Sequence, residues 1–504
     1  MPFVGSVEMK KAKSKKKIIL LVLLALILLM IVGWWGFCVK MYNDNFNVRG
    51  DSYEPLMLRV EDFSGLRCTE YAFSSDKGQM LAGYLYSAGE DQQGIVVIAH
   101  GFGDGGHNSY MDCANFFAQN GYFAFAYDAT GTDKSGGEGV GGVPQGVIDL
   151  DHAISFVEAN ADIPELPIVL FGHSWGAYSV SAVLTYHPEV KAVIECCGFN
   201  RSSDMFESGG KSQAGSVIYA MTPFIRLHER FKYGKYATNT AMDGFEATDA
   251  AVMIVHSADD DVIGIEYGCD KYYEKYKDDP RFTFLRFEDR GHNGILKDPD
   301  DIYVDELNAE FKKWLETLDY DYESEENRER FIEDKANYLT GNLDRARWSS
   351  RLDMDLFAQF LSFYDRAIGI IPDGEQQTLE EKYPDYFGLT TSKGLEVYVW
   401  QMAPGSYSFG VLPGTNREKT LEELWNMKGA NADEMRAILS TYDIDESEII
   451  IIPWQNPISS YIPEYWIRQK DESPDSVAKR QQEYVDSLRE MLFASVIPTG
   501  SDSL

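Results

Sequence analysis

The sequence predicts an α/β fold: a mostly parallel sheet flanked by helices, preceded by one transmembrane helix and followed by a separate α+β module. Three observations lead there. From about Tyr71 to Leu318, short apolar runs alternate with helical stretches. One long uncharged run, Ile18 to Val39, follows a lysine cluster. Composition changes after Ile371-Pro372-Asp373-Gly374.

The N-terminal element comes first. Lys10, Lys11, Lys13, Lys15, Lys16 and Lys17 precede the Leu- and Ile-rich run, which is long enough to cross a bilayer as a helix. Trp34 and Trp35 suit an interfacial aromatic belt, and the lysines belong on the cytoplasmic side. A cleaved signal peptide is the competing reading, but its apolar core would be shorter and end at a small-residue site. Here the chain continues Gly36-Phe37-Cys38-Val39-Lys40, so an uncleaved signal anchor is expected. The resulting division is a basic cytoplasmic tail (1–17), an anchor (18–39), a tether (40–58), a large domain (59–370) and an accessory α+β domain (375–495).

Within the large domain, Ile95 to Ala99, Tyr122 to Tyr127, Ile168 to Phe171, Ala192 to Ile194 and Ala251 to Val255 read as buried parallel strands. Val147, Leu150, Ile154 and Val157 share one helical face, as do Val304, Leu307, Phe311, Leu315 and Leu318. Strands alternating with helices indicate a sheet covered on both faces. About fifty residues (199–248) interrupt the rhythm, and a stretch this long is expected to be an inserted cap over the substrate, with a long connection carrying an ordinary helix as the alternative. In the accessory region, Gly394 to Gln401 and Tyr407 to Leu412 form a hairpin pattern. Thr420 to Met427 and Ala432 to Tyr442 read as helices, Ile449 to Ile452 as a strand, and 476–493 as a polar helix.

Charge narrows the partners. The 504 residues carry 80 acidic against 46 basic side chains, a net charge of −34, which argues against nucleic-acid binding. Six cysteines show no C-x-x-C pair, so buried thiols are expected rather than a metal or redox site.

The chemistry centres on Gly172-His173-Ser174-Trp175-Gly176, directly after Pro167 to Phe171. G-x-S-x-G between a strand and a helix exposes a serine on a strained turn whose neighbours must be small. A serine hydroxyl needs a base within hydrogen-bond reach, and the base needs an orienting acid. Of eight histidines, only His292 lies beyond the acidic cluster Asp259-Asp260-Asp261, as the order serine, acid, histidine requires. Imidazole, with a reference pKa of ~6.5, suits a base near neutral pH. The three aspartates stay undecided on spacing alone. Oxyanion stabilisation needs preorganised N–H donors. The backbone N–H groups of Trp175 and of Phe102, in the loop His100-Gly101-Phe102-Gly103, are the candidates. His100 reads as structural, and His107 and Tyr110 as loop residues near substrate or solvent.

These motifs resemble the α/β-hydrolase superfamily over residues 70–318, with 319–370 similar to the helical completion of some bacterial esterase-like members. His100-Gly101-Phe102-Gly103 resembles the HGxG segment. Asp128 to Gly137 resembles D-x-R-G-x-G-x-S-x-G, with Thr130 for the arginine and Asp133 for the second glycine. His256-Ser257-Ala258-Asp259-Asp260 resembles H-G-x-x-D, and that alignment selects Asp260 as the acid. Gly291-His292 resembles the segment that carries the base. The resemblance implies a serine hydrolase acting on a small acyl or peptide substrate, with no cofactor and no metal, and the expected N-terminal anchor would hold it at the membrane outside the cytoplasm. A peptidase or acyl transferase on the same fold is the alternative. A non-catalytic binding protein using 375–495 is the third reading.

Overall fold

The structure is a computed structural model that describes residues 4–89, 92–103, 105–370, 397–403, 406–411, 449–452 and 474–493. The chain divides into two units, Met1–Asp373 and Gly374–Leu504.

The first unit is built on an eight-stranded sheet. Its strands are β1 (Arg67–Ser74), β2 (Met80–Ser87), β3 (Gly94–Ala99), β4 (Tyr122–Tyr127), β5 (Ile168–His173), β6 (Ala192–Cys196), β7 (Ala251–Ser257) and β8 (Phe282–Phe287). They lie in the order β1-β2-β4-β3-β5-β6-β7-β8. β2 pairs antiparallel with both β1 and β4, and every later pair is parallel. β3 to β6 are buried apart from Phe123 of β4, which is partly open, and they are apolar over most of their length, as strands covered on both faces require.

The two-residue period of the strands then divides the core in two. Val97, Leu170, Val193 and Val252 face one apolar layer, and Val96, Val169, Ile194 and Met253 face the other. The first layer is closed by α3 (Gln145–Ala159) through Val147, Leu150 and Ile154, and by α4 (Trp175–Ala182). The second is closed by α2 (Met111–Gln119) and by a late helix, Met354–Ala367. In that late helix Phe357, Phe360 and Tyr364 recur at i, i+3 and i+7, and the Tyr364 hydroxyl donates to the Leu170 carbonyl at 2.6 Å.

Between β6 and β7 stand three helices, α5 (Ser202–Ala214), α6 (Ile218–Tyr233) and α7 (Ala241–Glu246), so the long gap in the strand rhythm is helical. α8 (Cys269–Tyr276) precedes β8, and α9 (Tyr303–Leu315), α10 (Arg328–Asn342) and α11 (Arg345–Ser349) lead into the late helix, α12.

At the front, α1 spans Val4–Phe46, and its stretch Ile19–Phe46 is long and apolar enough to cross a membrane. The expected tether over 40–58 differs from the structure. The helix continues through it to Phe46, and Tyr42 and Phe46 are buried, because aromatic rings at i and i+4 find an apolar seat beside α6. The Tyr42 hydroxyl donates to the Glu229 carboxylate at 2.5 Å and accepts from the Val143 N–H at 2.9 Å.

The second unit contains β9 (Val397–Ala403) and β10 (Ser406–Val411) as an antiparallel hairpin, with β11 (Ile449–Ile452) parallel to β9. α13 (Pro474–Phe493) buries Val485 and Leu488. The helices expected over 420–427 and 432–442, and the boundary at 371–374, lie outside the described residues.

Candidate active site

The sheet places its chemistry by topology. β4 lies on one side of β3 and β5 on the other, so the chain order reverses between β3 and β5. In open parallel sheets, ligands bind at such a point, beyond the carboxyl ends of the strands. The loop after β3 carries Phe102, the turn after β5 carries Ser174, the loop after β7 carries Asp260 and the loop after β8 carries His292.

Ser174 sits at φ 58°, ψ −117°, a strained conformation for a residue with a side chain. The neighbouring glycines make the turn possible. A Cβ at Gly172 would overlap the Gly176 carbonyl, and one at Gly176 would overlap the Ala99 carbonyl of β3. The Ser174 N–H donates to the Cys196 carbonyl at 2.8 Å, fixing the turn to β6.

Three side chains meet there. Ser174 Oγ lies 2.8 Å from His292 Nε2, and His292 Nδ1 lies 2.7 Å from Asp260 Oδ2. All three residues are buried. Asp260 Oδ1 accepts from the N–H groups of Val262 (3.0 Å) and Ile263 (2.8 Å), and His256 Nε2 lies 3.2 Å from Oδ2. Burial raises the Asp260 carboxyl; its hydrogen bonds to His256 and His292 and the imidazole charge outweigh that and hold it well below the usual carboxylate range. Asp259 instead accepts from Ser257 Oγ (2.6 Å) and the Gly291 N–H (2.8 Å), tying the two loops together, while Asp261 is exposed.

Further groups line or brace the site without having a local signature in the sequence. His173 is neutral; burial and then the neighbouring His292 push it down to about 3. Its Nε2 donates to the His292 carbonyl at 3.0 Å, and its Nδ1 accepts from the Tyr110 hydroxyl at 2.8 Å. Tyr110 accepts in turn from the Gly101 N–H at 3.1 Å. One relay therefore joins the β3 loop, the serine turn and the histidine loop. Tyr110 and His107 are buried, in contrast to the loop exposure weighed for them. His107 Nδ1 meets Asp128 at 2.7 Å, with its ring stacked on Tyr84. His100 is held between the Gly101 carbonyl (2.7 Å) and the Ala129 N–H (3.0 Å), the structural post expected of it.

A cavity of about 400 Å³ opens over Ser174, walled by Phe102, Gly103 and Tyr110 on one side and by Met205 of α5 and Val262 on the other. Trp175 opens α4, so its N–H is among those with no acceptor inside the helix. The Phe102 ring packs on both Trp175 and Phe46, 5.6 Å from each. Asp133, at φ 37°, replaces a glycine in its motif and gives that turn a second job. Its carboxylate accepts from the Ser52 N–H (2.6 Å), the Ser52 hydroxyl (2.7 Å) and the Gly106 N–H (2.8 Å).

Among the described residues, three clusters have the donor types for a metal ion: His173 with Cys197 and His292, Cys197 with His256 and Asp260, and Glu158 with His187 and Glu189. The first two share side chains with the Ser174–His292–Asp260 chain. In the third, both His187 nitrogens already face carboxylates, Asp151 at 2.8 Å and Glu189 at 2.9 Å.

Comparison with known proteins finds the following similarities. The family model described as serine aminopeptidase S33 matches residues 90–237, which include the β3 loop and the serine turn. The monoacylglycerol lipase of Mycolicibacterium smegmatis is 30% identical over 128 residues, covering 24% of this chain and 42% of the lipase. The chain thus matches less than half the length of that relative. Similar solved structures include an esterase of Pyrococcus furiosus (16% identity, TM-score 0.39, 54% of this chain and 98% of that one). An acylaminoacyl peptidase of Pyrococcus horikoshii is similar at 13% identity and TM-score 0.39, over 63% of this chain and 44% of that one.

Proposed function

We propose that this chain is a serine hydrolase of the α/β-hydrolase type, a membrane-anchored enzyme that cleaves an ester or related acyl bond outside the cytoplasm. Ser174 is the nucleophile, His292 the general base and Asp260 the acid that orients it. One observation carries the reading: the continuous hydrogen-bond chain from Ser174 Oγ through His292 to Asp260, at 2.8 and 2.7 Å. As Oγ attacks the carbonyl carbon, its proton passes to His292 Nε2, and the ionised Asp260 stabilises the imidazolium that forms. The N–H groups of Phe102 and Trp175 receive the developing oxyanion. His292 then gives the proton to the leaving group, and a water molecule activated by the same base releases the acyl group from Ser174. The apolar wall of Met205 and Val262 suits an acyl chain.

The location follows from α1. Six lysines precede its apolar stretch, and that charge bias supports a cytoplasmic N-terminal end with the rest of the chain outside.

The test is labelling of the full chain in detergent with a fluorophosphonate, beside turnover of short- and long-chain p-nitrophenyl esters. Wild type labels on Ser174; Ser174→Ala and His292→Ala do not. Asp260→Asn loses about four orders of magnitude in kcat, because the amide can hold the imidazole in the wrong tautomer. Full labelling of His292→Ala would refute the assignment. The match to the S33 model favours peptide cleavage as the second reading. Aminoacyl anilides assayed beside the esters separate the two.

A further inference from the structure

A second cavity, of about 300 Å³, lies in the helical insertion, between the start of α5, the middle of α6 and the turn that leads into α7. Three arginines line it: Arg201, Arg226 and Arg230, together with Ser202, Ser203 and Thr240. No carboxylate is among the described residues that line it. In a chain with 80 acidic and 46 basic residues, three guanidiniums around an acid-free hollow run against the composition.

The arginines differ in their commitments. Arg226 Nε donates to Ser203 Oγ at 2.9 Å, and its terminal nitrogen lies 3.6 Å from Glu207 and 3.9 Å from Asp204, neither of which lines the cavity. Arg201 and Arg230 are exposed, and among the described residues neither guanidinium has an ion-pair or hydrogen-bond partner. The backbone adds to the field. α5 begins at Ser202, so the N–H groups of Ser202 and Ser203 have no acceptor inside the helix and border the same space. None of these residues belongs to the Ser174 cavity.

We propose that this cavity binds a phosphate group. Guanidinium forks match the paired oxygens of a phosphate, and three of them suit the several acceptor oxygens of a tetrahedral phosphate better than the two of a lone carboxylate. Two sources present that chemistry: the headgroup of an anionic phospholipid, and a soluble phosphate ester. The surroundings connect the site to the lipid source. Phe231, the residue after Arg230, is 72% exposed, and its ring lies 6.1 Å from Trp35 at the outer end of the apolar stretch of α1. If α1 spans the bilayer, the end of α6 that carries Arg230 sits at headgroup level. The phosphate chemistry itself does not depend on that, nor on the assignment of Ser174.

The experiment uses the full chain throughout. In detergent micelles, inorganic phosphate is titrated at constant ionic strength, with chloride as control, and followed by calorimetry and by the thermal midpoint. Wild type binds saturably. The double variant Arg201→Gln/Arg230→Gln binds at least about tenfold more weakly, the loss expected when charge-assisted hydrogen bonds are removed. Arg230→Lys, which keeps the charge but not the fork, falls between them. In nanodiscs, native mass spectrometry counts the lipids retained from phosphatidylcholine with and without phosphatidylglycerol. Selective retention of phosphatidylglycerol, lost in the double variant, assigns the lipid source. Saturable phosphate binding without that selectivity assigns a soluble ester. Absence of both, or equal behaviour of wild type and the double variant at matched thermal midpoints and fluorophosphonate labelling, overturns the site.

Discussion

Asp259, Asp260 and Asp261 are identical side chains in a row, and only their surroundings distinguish them. Asp260 turns inward to His292, Asp259 clamps the Gly291 loop, and Asp261 faces solvent. No periodicity in the sequence encodes that choice, because it depends on how the β7 and β8 loops meet. Ser174 and His292 were legible for the opposite reason: a strained turn needs small neighbours, and the order of the three groups left one histidine. The Tyr110–His173 relay was not legible, since its members lie 63 positions apart and neither carries a local signature. A residue outside this machinery gives a separate test. Glu195 of β6 is fully buried, with Oε2 accepting from Ser181 at 2.5 Å and Oε1 without a hydrogen-bond partner among the described residues. Burial pushes its carboxyl up to about 8, so it carries a proton at neutral pH. In the unfolded chain a glutamate ionises near ~4.3. Between those values the unfolded state binds fewer protons, so stability is full below the unfolded value and falls as pH rises toward about 8. The limiting slope is about 1.4 kcal/mol per pH unit. Glu195→Gln should flatten that slope in urea melts from pH 5 to 8. An unchanged slope would mean that Glu195 is ionised in the fold.

The elements explain both what the pattern showed and what it hid. β3 to β7 were readable because strands covered on both faces are apolar over most of their length. β1 and β2 were not: β1 is mostly exposed, with only Phe73 fully buried, and its edge position leaves no clean alternation to follow. The end of α1 was hidden too. Polar Lys40, Asn43, Asp44 and Asn45 around it read as a linker, yet Cys38, Tyr42 and Phe46 at i, i+4 and i+8 are buried. That stripe packs Tyr42 within 6.2 Å of Phe206 and Phe46 within 5.6 Å of Phe102, and Glu229 joins Tyr42 to Ser202 through hydrogen bonds of 2.5 and 2.6 Å. The last turns of α1 are thus part of the folded domain. Truncating a buried aromatic costs about 3–5 kcal/mol. A soluble chain starting at Asn43, which lacks Tyr42, should therefore melt well below one starting at Gly36. Tyr42→Ala in the full chain should show the same drop. Equal midpoints by differential scanning fluorimetry would show that this packing contributes nothing.

At the scale of the whole molecule, function and division of labour separate. Every residue assigned to the proposed chemistry lies between Phe102 and His292, inside the unit Met1–Asp373, and that unit closes its own core on both faces of the sheet. α12 supplies the last of that closure: Phe357, Phe360 and Tyr364 are buried against β5 and α2. The second unit has its own three-stranded sheet, order β10-β9-β11, and α13 with its buried Val485 and Leu488. A chain ending at Ile370 should therefore keep its fluorophosphonate labelling rate within about twofold of the full chain and a thermal midpoint close to it, because the two core layers and the serine site are built from residues of the first unit. Small p-nitrophenyl esters should be turned over at the same rate. A bulky natural substrate is the informative contrast: if its kcat/KM falls while labelling is unchanged, the second unit acts in recognition. Loss of labelling on deletion would instead make the second unit part of the catalytic fold.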